Sequence, residues 1–188
     1  MTDTWTVRFG GFGGQGIVLS SVILGLAATY DGKYACQTAS YGAEARGGKC
    51  KSEVIISNEE IIYPIIDQPK VLVIMSQQAL DSYLDDLESD GLLIVDPDMT
   101  RDFDKRKDVE ITKIPATRVA DKLGNRIVAN MIMLGALQAK TGLVSEESLR
   151  RAILASVPQR FVEINLKALE KGAKLVRSES YENQAGGD

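Results

Sequence analysis

The chain has 188 residues, 44% of them hydrophobic, and a formal net charge of -4. That is enough to bury one sizeable α/β core but leaves no room for a second catalytic domain, and the acidic balance gives no reason to expect nucleic acid or an anionic membrane as partner. No apolar run approaches the roughly 20 residues needed to cross a bilayer, and the start MTDTWTVRF lacks the basic and apolar regions of a secretory signal, so a cytoplasmic location is expected. Cys36 and Cys50 stand isolated and the chain has no histidine, so redox or acid–base chemistry would have to come largely from elsewhere.

Trp5 to Gly10 reads as a first strand. Gln15 to Tyr30 reads as a buried helix, because apolar residues recur at Ile17, Val18, Val22, Ile23, Leu26 and Ala27. Strand, glycine turn and helix open a βαβ unit. Asp31-Gly32 stops the helix, Lys33 to Ser40 predicts a second strand, and YGAEARGGK, Tyr41 to Lys49, a polar loop. Cys50 to Ser57 and the shorter Glu60 to Ile66 read as β, with Pro64 putting the latter at an edge or a turn. Lys70 to Met75 is a continuous apolar run, as expected for a strand covered on both faces. A helix from about Gln77 to Leu87 and a buried strand from Leu92 to Val95 come next.

Asp96 to Asp108 is charged and reads as a solvated connection, and Val109 to Pro115 as a last strand. The pattern then turns helical over Ala116 to Leu123, Asn125 to Thr141, Ser145 to Ser156 and Gln159 to Leu175. Gly142 supplies a stop signal, and Ser145 with Glu146 and Glu147 a start signal. Residues 177–188 are polar and predict a flexible tail beyond a single domain of residues 1–176.

Between the first strand and helix the chain reads GxGxxG, with Gly11, Gly13 and Gly16. In a dinucleotide fold such glycines allow the tight turn, the approach to pyrophosphate and close helix–strand packing. Gly14 and Gln15 are an unusual filling, however, and the second strand ends without an acid for a ribose hydroxyl. A Walker loop is excluded, because no GK[ST] follows. On these residues three readings stay open: a turn that only packs strand on helix, a phosphate site at the helix N-terminus, or true NAD or FAD binding.

The second loop sets Tyr41, Glu44 and Arg46 between Gly42 and Gly47-Gly48. Glu44 and Arg46 either pair locally and shape the loop, or Arg46 presents its donor fork to a phosphate or carboxylate. Both loops follow early strands of one sheet and should meet at its carboxyl edge, where ligands gather in open α/β folds.

GGFGGQGIVLSSVILGLAA, then QTASYGAEARGGKCKSEVIIS and IIYPIIDQPKVLVIMS, resembles the gamma subunit of the 2-oxoacid:ferredoxin oxidoreductases, most closely the 2-oxoglutarate branch. The resemblance continues through GNRIVANMIMLGALQAKTGLVSEESLRRAI and FVEINLKALEKG and covers nearly the whole chain. The indolepyruvate branch usually opens the second loop with His-Gly, where Tyr41-Gly42-Ala43-Glu44 stands here. The resemblance implies a complex that decarboxylates a 2-oxoacid on thiamine diphosphate, passes electrons through iron–sulfur clusters to ferredoxin and transfers the acyl group to coenzyme A. This chain lacks the GDG…N segment that holds thiamine diphosphate and magnesium, and lacks the cysteines of a cluster. Those parts are then expected on alpha, beta and ferredoxin-like delta subunits, with this chain beside the active-site and coenzyme A entrance.

The reading is therefore a three-layer αβα, Rossmann-like domain with a mostly parallel sheet and a helical C-terminal section. Its expected contact loops are Gly11, Gly13, Gly14, Gln15 and Gly16 with Tyr41, Gly42, Glu44, Arg46, Gly47 and Gly48, and no catalytic or metal-binding residue is expected in the chain itself. Asn130, Met131 and Met133 are expected in the core, with Asn130 bonding a neighbouring backbone group. Cys36 and Cys50 read as buried small hydrophobes, and Asn165 as a candidate to face a partner. The pyruvate and ketoisovalerate branches, a stand-alone nucleotide-dependent oxidoreductase and a phosphometabolite-binding adaptor are the alternatives.

Overall fold

The computed structural model describes residues 4–41 and 48–185. Six strands form one sheet in the order β2-β3-β1-β4-β5-β6, with β1 at Trp5–Phe12, β2 at Tyr34–Tyr41, β3 at Lys49–Ser57, β4 at Val71–Ile74, β5 at Leu92–Val95 and β6 at Glu110–Lys113. The pairs β1–β4, β4–β5 and β5–β6 are parallel, while β3 runs antiparallel to both β1 and β2. The sheet is thus mostly parallel, as expected, but β3 is inserted between the two strands of the opening βαβ unit. Because β1 and β2 each oppose β3, they point the same way, and the loops that follow them leave the same edge.

The helices are α1 (Ile17–Tyr30), α2 (Gln77–Tyr83), α3 (Ala116–Lys122), α4 (Ala129–Thr141), α5 (Glu146–Ser156) and α6 (Gln159–Ala185). One face of the sheet carries Val7, Phe9, Val54, Val71, Val73 and Ile94 into the main core, against residues of α1, α3, α4, α5 and α6. The opposite face sends Leu72, Ile74, Leu93 and Val95 against Ala79 and Leu80 of α2 and the Leu84 and Leu87 that follow it. The alternation of strand side chains makes this two-sided burial possible and gives the three layers.

On the α2 side β1 presents Arg8, only 3% exposed. Its Nε donates to Glu53 at 2.6 Å on the neighbouring β3, its Nη1 pairs with Asp86, and its Nη2 donates to the carbonyl of Ile66 at 2.9 Å. Lys51 meets the other Glu53 oxygen at 3.1 Å, and the Tyr83 ring lies 5.4 Å from the guanidinium carbon. A buried cation is tolerated only when so partnered. This one ties β1, β3, the end of α2 and the β3–β4 connection together.

The C-terminal helices meet more closely than side chains allow. A Cβ built at Gly135 of α4 would fall far inside contact with the Leu169 carbonyl of α6, and one built at Gly172 of α6 would do the same to the Ile132 carbonyl of α4. The two backbones therefore touch, and glycine is required at both positions. Elsewhere the sequence signals act as read: Ser145 accepts from the Ser148 amide at 3.1 Å as the α5 N-cap, and Gly142 ends α4 with φ 63°. Asp31, after α1, accepts from the Ser145 amide at 2.6 Å and hydroxyl at 2.7 Å, joining the end of α1 to the start of α5.

Several boundaries differ from the sequence reading. β1 runs to Phe12 rather than Gly10, because Gly10, Gly11 and Phe12 pair with Lys51, Cys50 and Lys49 of β3. Residues 60–66 form no strand; the segment containing Pro64 crosses the sheet edge as an irregular connection. α2 ends at Tyr83, not Leu87, and a 3-10 turn, Arg126–Val128, capped by Asn125, precedes α4. α6 continues past Leu175 to Ala185, so the tail from residue 177 is helical through that point.

Replacing Gly172 with Ala should destabilise the protein by about 2–3 kcal/mol or prevent folding, since the added methyl meets backbone that cannot move alone. Gly25→Ala in α1, where a Cβ meets only Val54 and Ala35 at ordinary contact distances, should be neutral or stabilising by up to ~1 kcal/mol, both changes being read by urea titration.

Burial works to raise the Asp31 pKa, but hydrogen bonds from Ser148 and Ser145 outweigh it and hold the carboxyl below the usual 3.8. Its contribution is therefore present above that value and lost as pH falls through the lower folded value. Asp31→Asn should lower stability by about 1 kcal/mol at neutral pH, and the gap to the parent should close progressively below pH 3.8 in thermal unfolding followed against pH.

Candidate functional site

The glycine turn sits at the carboxyl edge of the parallel strands, but it is not built as a dinucleotide loop. Gly11 is still a strand residue, paired with Cys50. The turn proper is Phe12 to Gln15, closed by the Gln15 amide donating to the Phe12 carbonyl at 3.1 Å, with Gly14 at φ 101°. Gly16 then caps α1 in the left-handed region at φ 74°, with no side-chain cap, so first-turn N–H groups keep no intrahelical acceptor.

Gln15 explains the unusual filling. Its Oε1 accepts from the Phe12 amide at 2.6 Å and its Nε2 donates to the Met75 carbonyl at 2.9 Å. A side-chain amide thus bridges the ends of β1 and β4 across the turn. A Cβ at Gly11 would press on both that amide and Ile17, which is why glycine stands there. Gly11 and Gly16 serve this bridge and the helix packing, and the bridge takes up the Phe12 amide, a donor that a dinucleotide loop would offer to pyrophosphate. The reading of a turn that packs strand on helix accounts for Gly11 and Gly16.

Gly16 is pinned from the other side. Asn130, 2% exposed on α4, donates through Nδ2 to the Gly16 carbonyl at 3.2 Å, and any Cβ at Gly16 would collide with that amide. The expected backbone role of Asn130 is met, and Met131 and Met133 are buried beside it. Gly48, the described end of the second loop, meets the turn: the Gly13 amide donates to the Gly48 carbonyl at 3.0 Å. Tyr41 ends β2, with its backbone paired to Cys50. Gly42, Glu44, Arg46 and Gly47 lie outside the described residues, as does the proposed Glu44–Arg46 pair.

Beside the turn opens a cavity of about 220 Å³, whose lining includes Gly14, Gln15, Met75, Thr117, Arg126 and Ile127. Arg126 and the 69% exposed Ile127 come from the 3-10 turn before α4, a segment that sequence reading assigned to plain helix. Their signal was Asn125, whose side chain accepts from the Ile127 amide at 3.2 Å and starts the turn. The cavity offers one cation, one amide and an apolar wall, a combination suited to holding an anionic group attached to something apolar.

Asp96 closes the next strand end, and it is not solvated as the charged connection implied. It is fully buried, accepting from the Thr117 amide at 2.8 Å, the Thr117 hydroxyl at 2.6 Å and the Asp98 amide at 3.0 Å. Burial pushes its pKa up while these hydrogen bonds oppose the rise. Its donors fix the start of α3 and hence Thr117 in the cavity wall. Cys50 is buried and burial raises its thiol pKa, whereas Cys36 is only half-buried, against expectation. Asn165 also departs from expectation: it is buried and donates to the Phe161 carbonyl of its own helix at 2.7 Å. Among the described residues no group of three or more His, Cys, Asp or Glu side chains is placed to hold a metal ion.

Residues 6–175 match the family described as pyruvate ferredoxin/flavodoxin oxidoreductase. The chain is 50% identical over 177 residues to the 2-oxoglutarate synthase subunit KorC of Methanothermobacter marburgensis, covering 90% of this chain and 95% of that one. To the ketoisovalerate oxidoreductase subunit VorA of the same organism it is 38% identical, over 91% of this chain and 36% of the longer relative. Among solved structures, the keto/oxoacid ferredoxin oxidoreductase gamma subunit of Geobacter sulfurreducens superposes with a TM-score of 0.80 at 40% identity, over 93% of this chain and 99% of that one. The 2-oxoglutarate:ferredoxin oxidoreductase of Magnetococcus marinus shares the fold at a TM-score of 0.85 and 23% identity, this chain covering 31% of it and being itself covered over 93%. With fold, length and sequence in agreement from the first strand to the last helix, the chain belongs to the pyruvate ferredoxin/flavodoxin oxidoreductase family as a gamma subunit.

Proposed function

We propose that this chain serves a cytoplasmic 2-oxoglutarate:ferredoxin oxidoreductase, as the gamma subunit that flanks the active-site and coenzyme A entrance on a single domain of residues 1–176. The observation that carries the reading is the half-identity to KorC over nearly the full length of both chains. Identity falls to 38% for VorA and to 34% for the pyruvate synthase subunit PorC of Methanocaldococcus jannaschii, which ranks the ketoisovalerate and pyruvate branches behind.

Thiamine diphosphate, when bound on companion alpha and beta subunits, supplies the electron sink for decarboxylation, and iron–sulfur clusters there and on a delta subunit carry electrons to ferredoxin. The sequence carries neither the GDG…N segment nor the cysteines that would hold either group. Its part is positional: the glycine turn and the Arg126 cavity line one edge, with a cation suited to a phosphate of coenzyme A and an apolar wall suited to its arm. A stand-alone NAD or flavin enzyme is disfavoured by the Gln15 bridge across the turn.

Isolating the tagged chain anaerobically from its own cells should bring down thiamine-binding and iron–sulfur subunits and give dye reduction that needs both 2-oxoglutarate and coenzyme A. A lone chain would overturn the reading, and a clear preference for pyruvate or 2-oxoisovalerate would move it to a sister branch. In the intact complex, Arg46→Ala and Arg126→Ala should each raise the KM for coenzyme A by roughly tenfold, the loss of one charge-assisted contact, with kcat little changed. Unaltered coenzyme A kinetics in both variants would remove these side chains from the binding surface.

A further inference from the structure

The β3–β4 connection carries an apolar ridge that the described fold leaves uncovered. Ile62 is 91% exposed, Tyr63 66% and Ile65 55%, with Pro64 also exposed between them. Isolated exposed hydrophobes are ordinary, but an unbroken run of large ones is not. A cleft of about 330 Å³ lies against it, lined by Ile62, Tyr63 and Ile65 of the ridge together with Ile55, Ile61 and Thr6.

The ridge is held in place rather than loosely hung. Ile66, immediately after it, is buried, and its carbonyl accepts from the buried Arg8 at 2.9 Å. Before it, the Glu59 amide donates to the Ser57 hydroxyl at 3.1 Å, and after it the Lys70 amide donates to Thr6 Oγ1 at 2.9 Å. The Pro69 carbonyl is taken by the Glu88 amide at 3.0 Å. A buried guanidinium thus fixes the base of a segment whose outer side chains touch little of this chain.

The rim is acidic. Glu59, Glu60 and Asp67 flank the ridge and are exposed. The next cation along the chain, Lys70, is turned to the Thr4 carbonyl at 2.7 Å and over the Trp5 ring. Two copies of this chain meeting ridge to ridge about a two-fold axis would set these carboxylates against each other, which disfavours a homodimer here.

Resting on the reading as a gamma subunit, we propose that the Ile62–Tyr63–Pro64–Ile65 ridge is a docking surface for a companion subunit of the oxidoreductase, one that offers an apolar groove rimmed by Lys or Arg. The ridge lies at the amino edge of β1 and the glycine turn at its carboxyl end, about 25 Å away for a strand of this length, so assembly and the coenzyme A face are separable.

The test co-expresses the tagged chain with its thiamine-binding and iron–sulfur companions. The parent and a Leu154→Asp control, which alters an exposed apolar residue on α5, should retain them fully. The double variant Ile62→Asp/Ile65→Asp should lose retention by about tenfold or more, as expected for interface anchors, with an unchanged far-UV spectrum of the isolated chain. Glu59→Lys/Glu60→Lys, which leaves the apolar ridge intact, should weaken retention and remove the dependence on ionic strength shown by the parent. Full retention by both variants would overturn the docking assignment while leaving the gamma-subunit reading in place; failure of the parent to retain any companion would overturn that reading instead. Sedimentation of the isolated chain should give a monomer, and a dimer abolished by Ile62→Asp would overturn the choice of partner.

Discussion

The backbone contact between α4 and α6 sets the position of everything at the candidate site. Gly135 and Gly172 let the two helices close until carbonyl groups occupy the space of side chains. Such contact leaves no slack, so α4 is fixed in rotation and height. That fixes Asn130, whose amide fits against Gly16 with no room for a Cβ. Gly16 in turn sets where α1 begins and how the turn before it leaves β1. A constraint between two helices on one face of the sheet thus reaches the sheet edge through a single buried amide.

The same edge shows why a glycine pattern is a poor guide without topology. A dinucleotide fingerprint presumes that the strand ends before the first glycine and that the next strand in sequence lies alongside. Here β3 pairs with β1 through Phe12, so the first fingerprint glycine becomes part of the ladder. The remaining turn is short enough for Gln15 to bridge from Phe12 to Met75. The fold uses glycine for close approach within the protein, and what stays open to ligand is the shallower space beside the bridge, toward Arg126.

Much of this was legible from the residues. Continuous apolar runs located β4 and β5, because burial on both faces leaves a direct pattern, and the stop at Gly142 and start at Ser145 located the end of α4 and the beginning of α5. The exit of β1 and β2 at the same sheet edge also followed from strand direction, and the Gly13–Gly48 hydrogen bond joins the turn to Gly48 there. Strand order was not readable, since an antiparallel insertion such as β3 has the same alternation in any position. The run Glu60 to Ile66 looked like a strand because its apolar residues suit one, yet four of them face outward. Gly135 and Gly172 were passed over, although a glycine inside an apolar helix, disfavoured by about 1 kcal/mol against alanine, is itself a mark of a close crossing. Asp96 misled in the opposite sense: a charged neighbourhood suggested solvent, and local hydrogen bonds made burial tolerable.

The two faces of the sheet divide the work of the domain. The α4–α6 side is apolar and tightly packed, and it holds the glycine turn in place because close-packed groups have little room to shift. The α2 side is thinner and depends on a buried charge cluster, Arg8 with Glu53 and Asp86, extended by Lys51. Such a cluster adds little net stability once desolvation is counted, but it is directional, and each partner occupies a defined bond of the guanidinium. The protein therefore uses packing where it needs rigidity of the fold and a branched cation where it needs to hold irregular chain, the β3–β4 connection, against a regular sheet. Both devices end at opposite edges of the central strand, which leaves each edge free to meet a different neighbour.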